Sequence, residues 1–155
     1  MPVMALSFLL GCIAGLRSLT APAAVCWAAH LGWLHLADSK LAFIGSPSTL
    51  VVVTFLALVE LVVDKLPQTP ARTAPVGLVA RIVAGGFCGI VLATSEGMGP
   101  VLEALIASVG ALLGAFAGYN VRRALVSRLH LPEFGVALAE DAIAITGALL
   151  IVSHM

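Results

Sequence analysis

Four carboxylates and two arginines lie in or beside apolar stretches that offer them little water. Glu60 falls within the run Leu50 to Val63, and Asp64 follows it by four residues. Glu140 and Asp141 fall within a second run, and Arg17 and Arg81 are embedded in the same way. Residues four apart on a helix share a face, so Glu60 and Asp64 point the same way. A charge at such depth is costly, and it pairs with an opposite charge or lines a wet cavity. A carboxylate in a dry helix bundle can hold a cation or exchange a proton. An arginine beside a helix start is a ready anion site. These residues also have a structural reading. Glu60 and Glu140 pair with Arg81 or another arginine, Asp64 sits at the interface beside Lys65, and Arg17 pairs with Glu60 across the bundle.

The elements that carry these residues are apolar and long. Segment one runs from Val3 to about Leu36, too long for one ordinary span of about 20 residues. Its middle reads Gly15-Leu-Arg17-Ser18-Leu-Thr20-Ala-Pro22. Proline cannot continue a helix ladder, and Ser18 or Thr20 caps a new helix with Pro22 in its first turn. The spacing therefore predicts a break near Arg17 to Pro22. The piece from Ala23 to Leu36, with Trp27, His30, Trp33 and His35, lies at the interface or re-enters the membrane. Segment two is Thr49 to about Asp64, and a proline-rich loop with Pro67, Pro70 and Arg72 follows. Segment three is Pro75 to about Thr94. Segment four is Val101 to about Tyr119, with Gly110, Gly114 and Gly118 spaced for close helix approach, within the chain or between protomers. Residues 120 to 130 are basic and amphipathic, with Arg122, Arg123 and Arg128 as lipid-headgroup anchors. Segment five is Pro132 to Ser153.

The chain of 155 residues is 61% hydrophobic and 10% charged, with formal net charge zero. Its mean hydropathy is +1.11. A soluble domain has about 25% charged residues, so this composition cannot cover a water-facing surface. The apolar runs are continuous, without the alternation of a barrel strand. The fold class is all-α, a polytopic helical membrane protein of about five transmembrane helices, in one transmembrane domain over residues 1–155. No basic stripe with aromatics points to nucleic acid. Cys12, Cys26 and Cys88 have no metal-ligand spacing and read as packing residues. No metal, cofactor or catalytic constellation is expected, and no cleavable signal peptide. Lys65, Arg72, Arg81, Arg122, Arg123 and Arg128 fall on one side of five spans. The positive-inside rule makes that side cytoplasmic and puts the N-terminus there too. If segment one were two short spans, the N-terminus would lie opposite.

Two internal matches raise an inverted repeat. Gly11-xxx-Gly15-Leu-Arg17 resembles Gly114-xxx-Gly118-Tyr-Asn120, and Ala57-Leu-Val-Glu60 resembles Ala137-Leu-Ala-Glu140. The glycine match fits inversion. The glutamate match does not, because both glutamates lie roughly 10 Å from the cytoplasmic ends of their spans at 1.5 Å per residue. Both readings stay open.

Ala14-Gly15-Leu16-Arg17, the Glu60…Asp64-Lys65-Leu66-Pro67 block, Arg81 with its glycines and Ala139-Glu140-Asp141 together resemble a known family over nearly the whole chain. It is a group of small bacterial integral membrane proteins described only as a domain of unknown function. The proline-rich loop after Lys65 departs from the family pattern in being compact. The resemblance implies a helical protein of the bacterial inner membrane and supplies no activity. The functional expectation is a small homo-oligomeric transporter or channel for a cation or proton-coupled solute, among membrane lipids. Glu60, Glu140, Asp64, Asp141, Arg17 and Arg81 form its site. The other expectation is a non-transporting scaffold or lipid-binding protein, in which the same charges are structural.

Overall fold

A computed structural model describes residues 2–65 and 74–155. Pro67, Pro70 and Arg72 of the proline-rich loop lie outside the described residues. Six α-helices and a short 3-10 turn make up the fold, with no strand among the described residues. They are α1 (Val3–Leu16), α2 (Thr20–His30), α3 (Pro47–Val63), α4 (Pro75–Ser95), α5 (Pro100–Leu129) and α6 (Glu133–Val152). Three of them, α4, α5 and α6, are long and apolar enough to cross a membrane, while α1 and α3 are apolar but shorter.

Local chemistry sets the boundaries. Pro47, Pro75 and Pro100 each open a helix in its first turn, where a missing N–H costs nothing. Ser46 caps α3 by accepting from the Thr49 N–H at 3.3 Å. Gly97, at φ +67, makes the tight turn from α4 to α5. The expected break in segment one is present. Arg17 is extended, at φ −140 and ψ 113, and α2 restarts at Thr20 with Pro22 in its first turn.

At that break the chain reverses. Gly11 lies against the Ala107 carbonyl and Gly15 against that of Ala111, so α1 runs parallel to α5. Gly85 faces Ala111 and Gly89 faces Glu103, so α4 runs antiparallel to both. The start of α1 therefore lies beside the end of α4. The chain after α2 reaches that same level, because the His35 N–H donates to Ser95 Oγ at 2.9 Å. Helices α1 and α2 form a hairpin with its tip at residues 17–19. At 1.5 Å per residue, 14 residues of α1 and 11 of α2 are about 21 Å and 16 Å long, and a bilayer core is about 30 Å thick. The expected shared side for the N-terminus and the basic loops rested on one net crossing by segment one. The hairpin instead places the start of α1 with the α4–α5 turn, away from Lys65 and the arginines of α5.

The inward faces of α5 and α6 carry a row of small residues. Ala107, Ala111, Ala115, Ala144 and Ala148 are fully buried. A Cβ on Gly11, Gly15, Gly110 or Gly114 would overlap the backbone of the facing helix. Gly110 and Gly114 thus spend their close approach on α1 of the same chain. Large apolar side chains point outward, with Val76 84% and Val101 71% exposed. Small-inside, large-outside packing suits helices in lipid, where no water drives large side chains inward. The two internal sequence matches do not share one relation: α1 and α5 are parallel, whereas α3 and α6 run in opposite directions.

Candidate functional site

The hairpin tip is held by carboxylates from α3 and α6. Glu60 sits one turn before the end of α3, and its two oxygens meet the exposed donors of the break. Ser18 N–H donates to Oε1 and Leu19 N–H to Oε2, each at 2.8 Å. The Ser18 hydroxyl donates to Oε1 as well. A helix N-terminus presents unsatisfied N–H groups and partial positive charge, which is an anion site. Here the protein's own carboxylate fills it.

Arg17 is fully buried and bridges two helices. Its Nη1 donates to Asp64, at the end of α3. Its Nη2 approaches Asp141 Oδ1 at 2.5 Å, close enough for an ion pair but without hydrogen-bond alignment. Lys65 Nζ donates to the other Asp141 oxygen at 2.5 Å and to the Leu61 carbonyl at 2.8 Å. Arg81 Nη2 lies 3.9 Å from Asp64, and its Nη1 donates to the Gly77 carbonyl at 3.1 Å. Three cations, Arg17, Lys65 and Arg81, thus meet three carboxylates, Glu60, Asp64 and Asp141. Among the described residues the cluster is formally neutral. Burying one of these charges alone would cost several kcal/mol, and pairing offsets that cost.

Helix periodicity explains who joins. Glu60 and Asp64 share the α3 face that carries buried Ala57. On α6 the buried stripe is Ala137, Asp141, Ala144 and Ala148. Glu140 is one residue, about 100°, around that helix. It faces α5, where its Oε2 is 4.0 Å from Arg122 Nη1. Arg122 also pairs with Glu133 at 3.0 Å. Of the six residues expected at the site, Arg17, Glu60, Asp64, Arg81 and Asp141 come together, and Glu140 belongs to a second cluster. That second cluster borders an apolar groove of about 490 Å³ between α5 and α6, lined by residues such as Leu16, Val121, Leu125, Val136 and Ile143. Lys65 joins the first cluster as a full member, adjacent to Asp64 in the sequence yet serving Asp141. No group of three or more metal-ligating side chains occurs among the described residues.

These features define a polytopic helical membrane protein with a charged hairpin tip inside its bundle. The chain matches the family model for the domain of unknown function DUF4126 over residues 4–154, and it belongs to that family. No curated protein and no solved structure matches it.

Proposed function

We propose that the protein is a small transporter or channel, with the hairpin tip in its translocation path. The observation that carries this reading is the fully buried Arg17 at the reversal of a short helical hairpin, clamped by Asp64 and Asp141. Interrupted helices with charged residues at the interruption are how transporters build midplane sites, and irregular backbone at membrane depth belongs beside a cavity. The cluster offers an entering ion a direct exchange: a cation displaces Arg17 or Lys65 from Asp141, or a proton releases a carboxylate from its partner. The basic loops face the cytoplasm of a bacterial inner membrane, and the N-terminus faces away from it. Two copies in contact would help such a small bundle enclose a path.

Proton flux into proteoliposomes tests this. An entrapped pH-sensitive dye is read under a potassium diffusion potential. Glu60→Gln and Asp141→Asn, each monodisperse in detergent, are expected to cut the flux at least tenfold, roughly the effect of about 1.4 kcal/mol. Wild-type flux equal to that of empty vesicles, for protons and for sodium and potassium, sinks the reading. The α5–α6 groove favours a second reading, a lipid-binding protein, because its apolar walls end at Arg122 with Arg123 and Arg128 exposed nearby. One phospholipid retained in native mass spectrometry, and lost in Arg122→Gln, would support it.

A further inference from the structure

Glu103 belongs to neither charged cluster. It sits in the first turn of α5, on the side away from Arg17. It is 3% exposed, and its Oε2 has no hydrogen-bond partner. Among the described residues no lysine, arginine or histidine pairs with it. The α5 dipole favours an acid at this position but offsets only a fraction of the cost of burying a carboxylate.

Two other helices close on this residue. Gly89 of α4 lies against the Glu103 carbonyl so tightly that a Cβ would overlap it. On the other side, α1 and α5 are in parallel register, Gly11 with Ala107 and Gly15 with Ala111. One turn earlier the same register pairs Ser7 with Glu103. Ser7 is fully buried, and its hydroxyl also has no partner. A helix serine ordinarily bonds back to a carbonyl one turn earlier, as Thr94 and Ser127 do here. Ser7 does not. One register position of a three-helix junction therefore holds a carboxylate oxygen and a hydroxyl, both dry and both unsatisfied. Buried polar atoms of this kind need an explanation, and a bound ion is one.

We propose that Glu103 and Ser7 hold a single alkali cation at the α1–α4–α5 junction. One carboxylate balances one positive charge, and the absence of a three-ligand cluster among the described residues argues against a divalent ion. The site is separate from the hairpin tip. Along α5, Glu103 to Ala115, which faces Gly15, is roughly 18 Å at 1.5 Å per residue. It is also independent of the transport reading, because occupancy can be measured without flux.

Thermal unfolding of the purified full chain in detergent is compared in sodium, potassium and N-methylglucamine chloride at equal ionic strength. A ligand that binds the folded state raises the midpoint by mass action. With an alkali ion, the wild-type midpoint rises in sodium or potassium over N-methylglucamine, and Glu103→Gln loses that rise. If Glu103→Gln does not fold, Ser7→Ala is read instead. It raises the half-effective alkali concentration about tenfold, the scale of one lost contact to a charged group. The proposal is overturned if the wild-type midpoint is the same in all three salts, or if the variant that folds responds to them as the wild type does.

Discussion

At the scale of single residues, the hairpin tip is a test of what a buried arginine is worth. Arg17 Nη1 and Nη2 serve different carboxylates on different helices, a task suited to a planar fork and not to a lysine ammonium. Arg17→Met leaves Asp141 to Lys65 and Asp64 to Arg81 at 3.9 Å, and we expect a loss of about 3–5 kcal/mol, the usual cost of breaking a buried pair from one side. Chemical unfolding in detergent measures it. Adding Asp141→Asn removes the charge that had faced Arg17, so the double variant should lose less than the sum of the singles by about 0.5–3 kcal/mol. Additive losses would mean that the two groups do not act as a pair. Glu60 answers a different need, the open N–H groups of Ser18 and Leu19. Glutamine keeps one acceptor there and alanine keeps none. Glu60→Ala should therefore fall about 1–3 kcal/mol below Glu60→Gln, the cost of an unsatisfied buried donor. Equal stabilities would show that the break does not depend on its cap.

At the scale of elements, the bundle depends on helices that touch backbone to backbone. Gly11 has no room for a methyl group against the Ala107 carbonyl, whereas a Cβ on Gly135 of α6 would meet only Pro132 Cγ at 3.5 Å. Gly11→Ala should destabilise by about 1–3 kcal/mol through overpacking, and Gly135→Ala should be tolerated. If both are tolerated in the same melting experiment, α1 and α5 do not approach as closely as described. Much of this layout is legible in the sequence. The continuous apolar runs mark the helices, Pro22 marks the break, and the four-residue spacing puts Glu60 and Asp64 on one face. The split between Glu140 and Asp141 turns on a rotation of one residue. Only the small residues at Ala137, Ala144 and Ala148 show which of the two faces inward. Glu103 escapes a reading by charge because a first-turn acid looks like an ordinary dipole partner. Its signal is its place at the head of the small stripe Ala107, Ala111 and Ala115. The partners of Arg17 depend on which helices stand beside the hairpin, a long-range relation that local spacing does not encode.

At the scale of the whole molecule, one reversal decides which ends share a side. A sequence reading counts crossings, and a segment of the length of Val3 to Leu36 passes as one broken span. The register of α1 on α5 turns that span into a hairpin, because Gly11 and Gly15 can meet Ala107 and Ala111 only if the two helices run parallel. The consequence reaches both termini. Helix α6 starts on the side of Arg122 and runs antiparallel to α1, its Asp141 beside Arg17 and its Gly147 beside Ile13. Its end at Val152 therefore lies with the start of α1. We expect Pro2→Cys and Ser153→Cys to react with an impermeant maleimide from the same face of intact cells, and Arg128→Cys to react only after the cells are opened. The native thiols set a low background, since Cys26 and Cys88 are buried and Cys12 is partly so. Labelling of position 2 together with position 128, and apart from position 153, would restore a single net crossing by the first segment. In that arrangement α1 could not lie parallel to α5, and Arg17 would have to reach its carboxylates from the opposite direction. The maleimide pattern thus tests the register on which the hairpin tip and the Glu103 junction both depend.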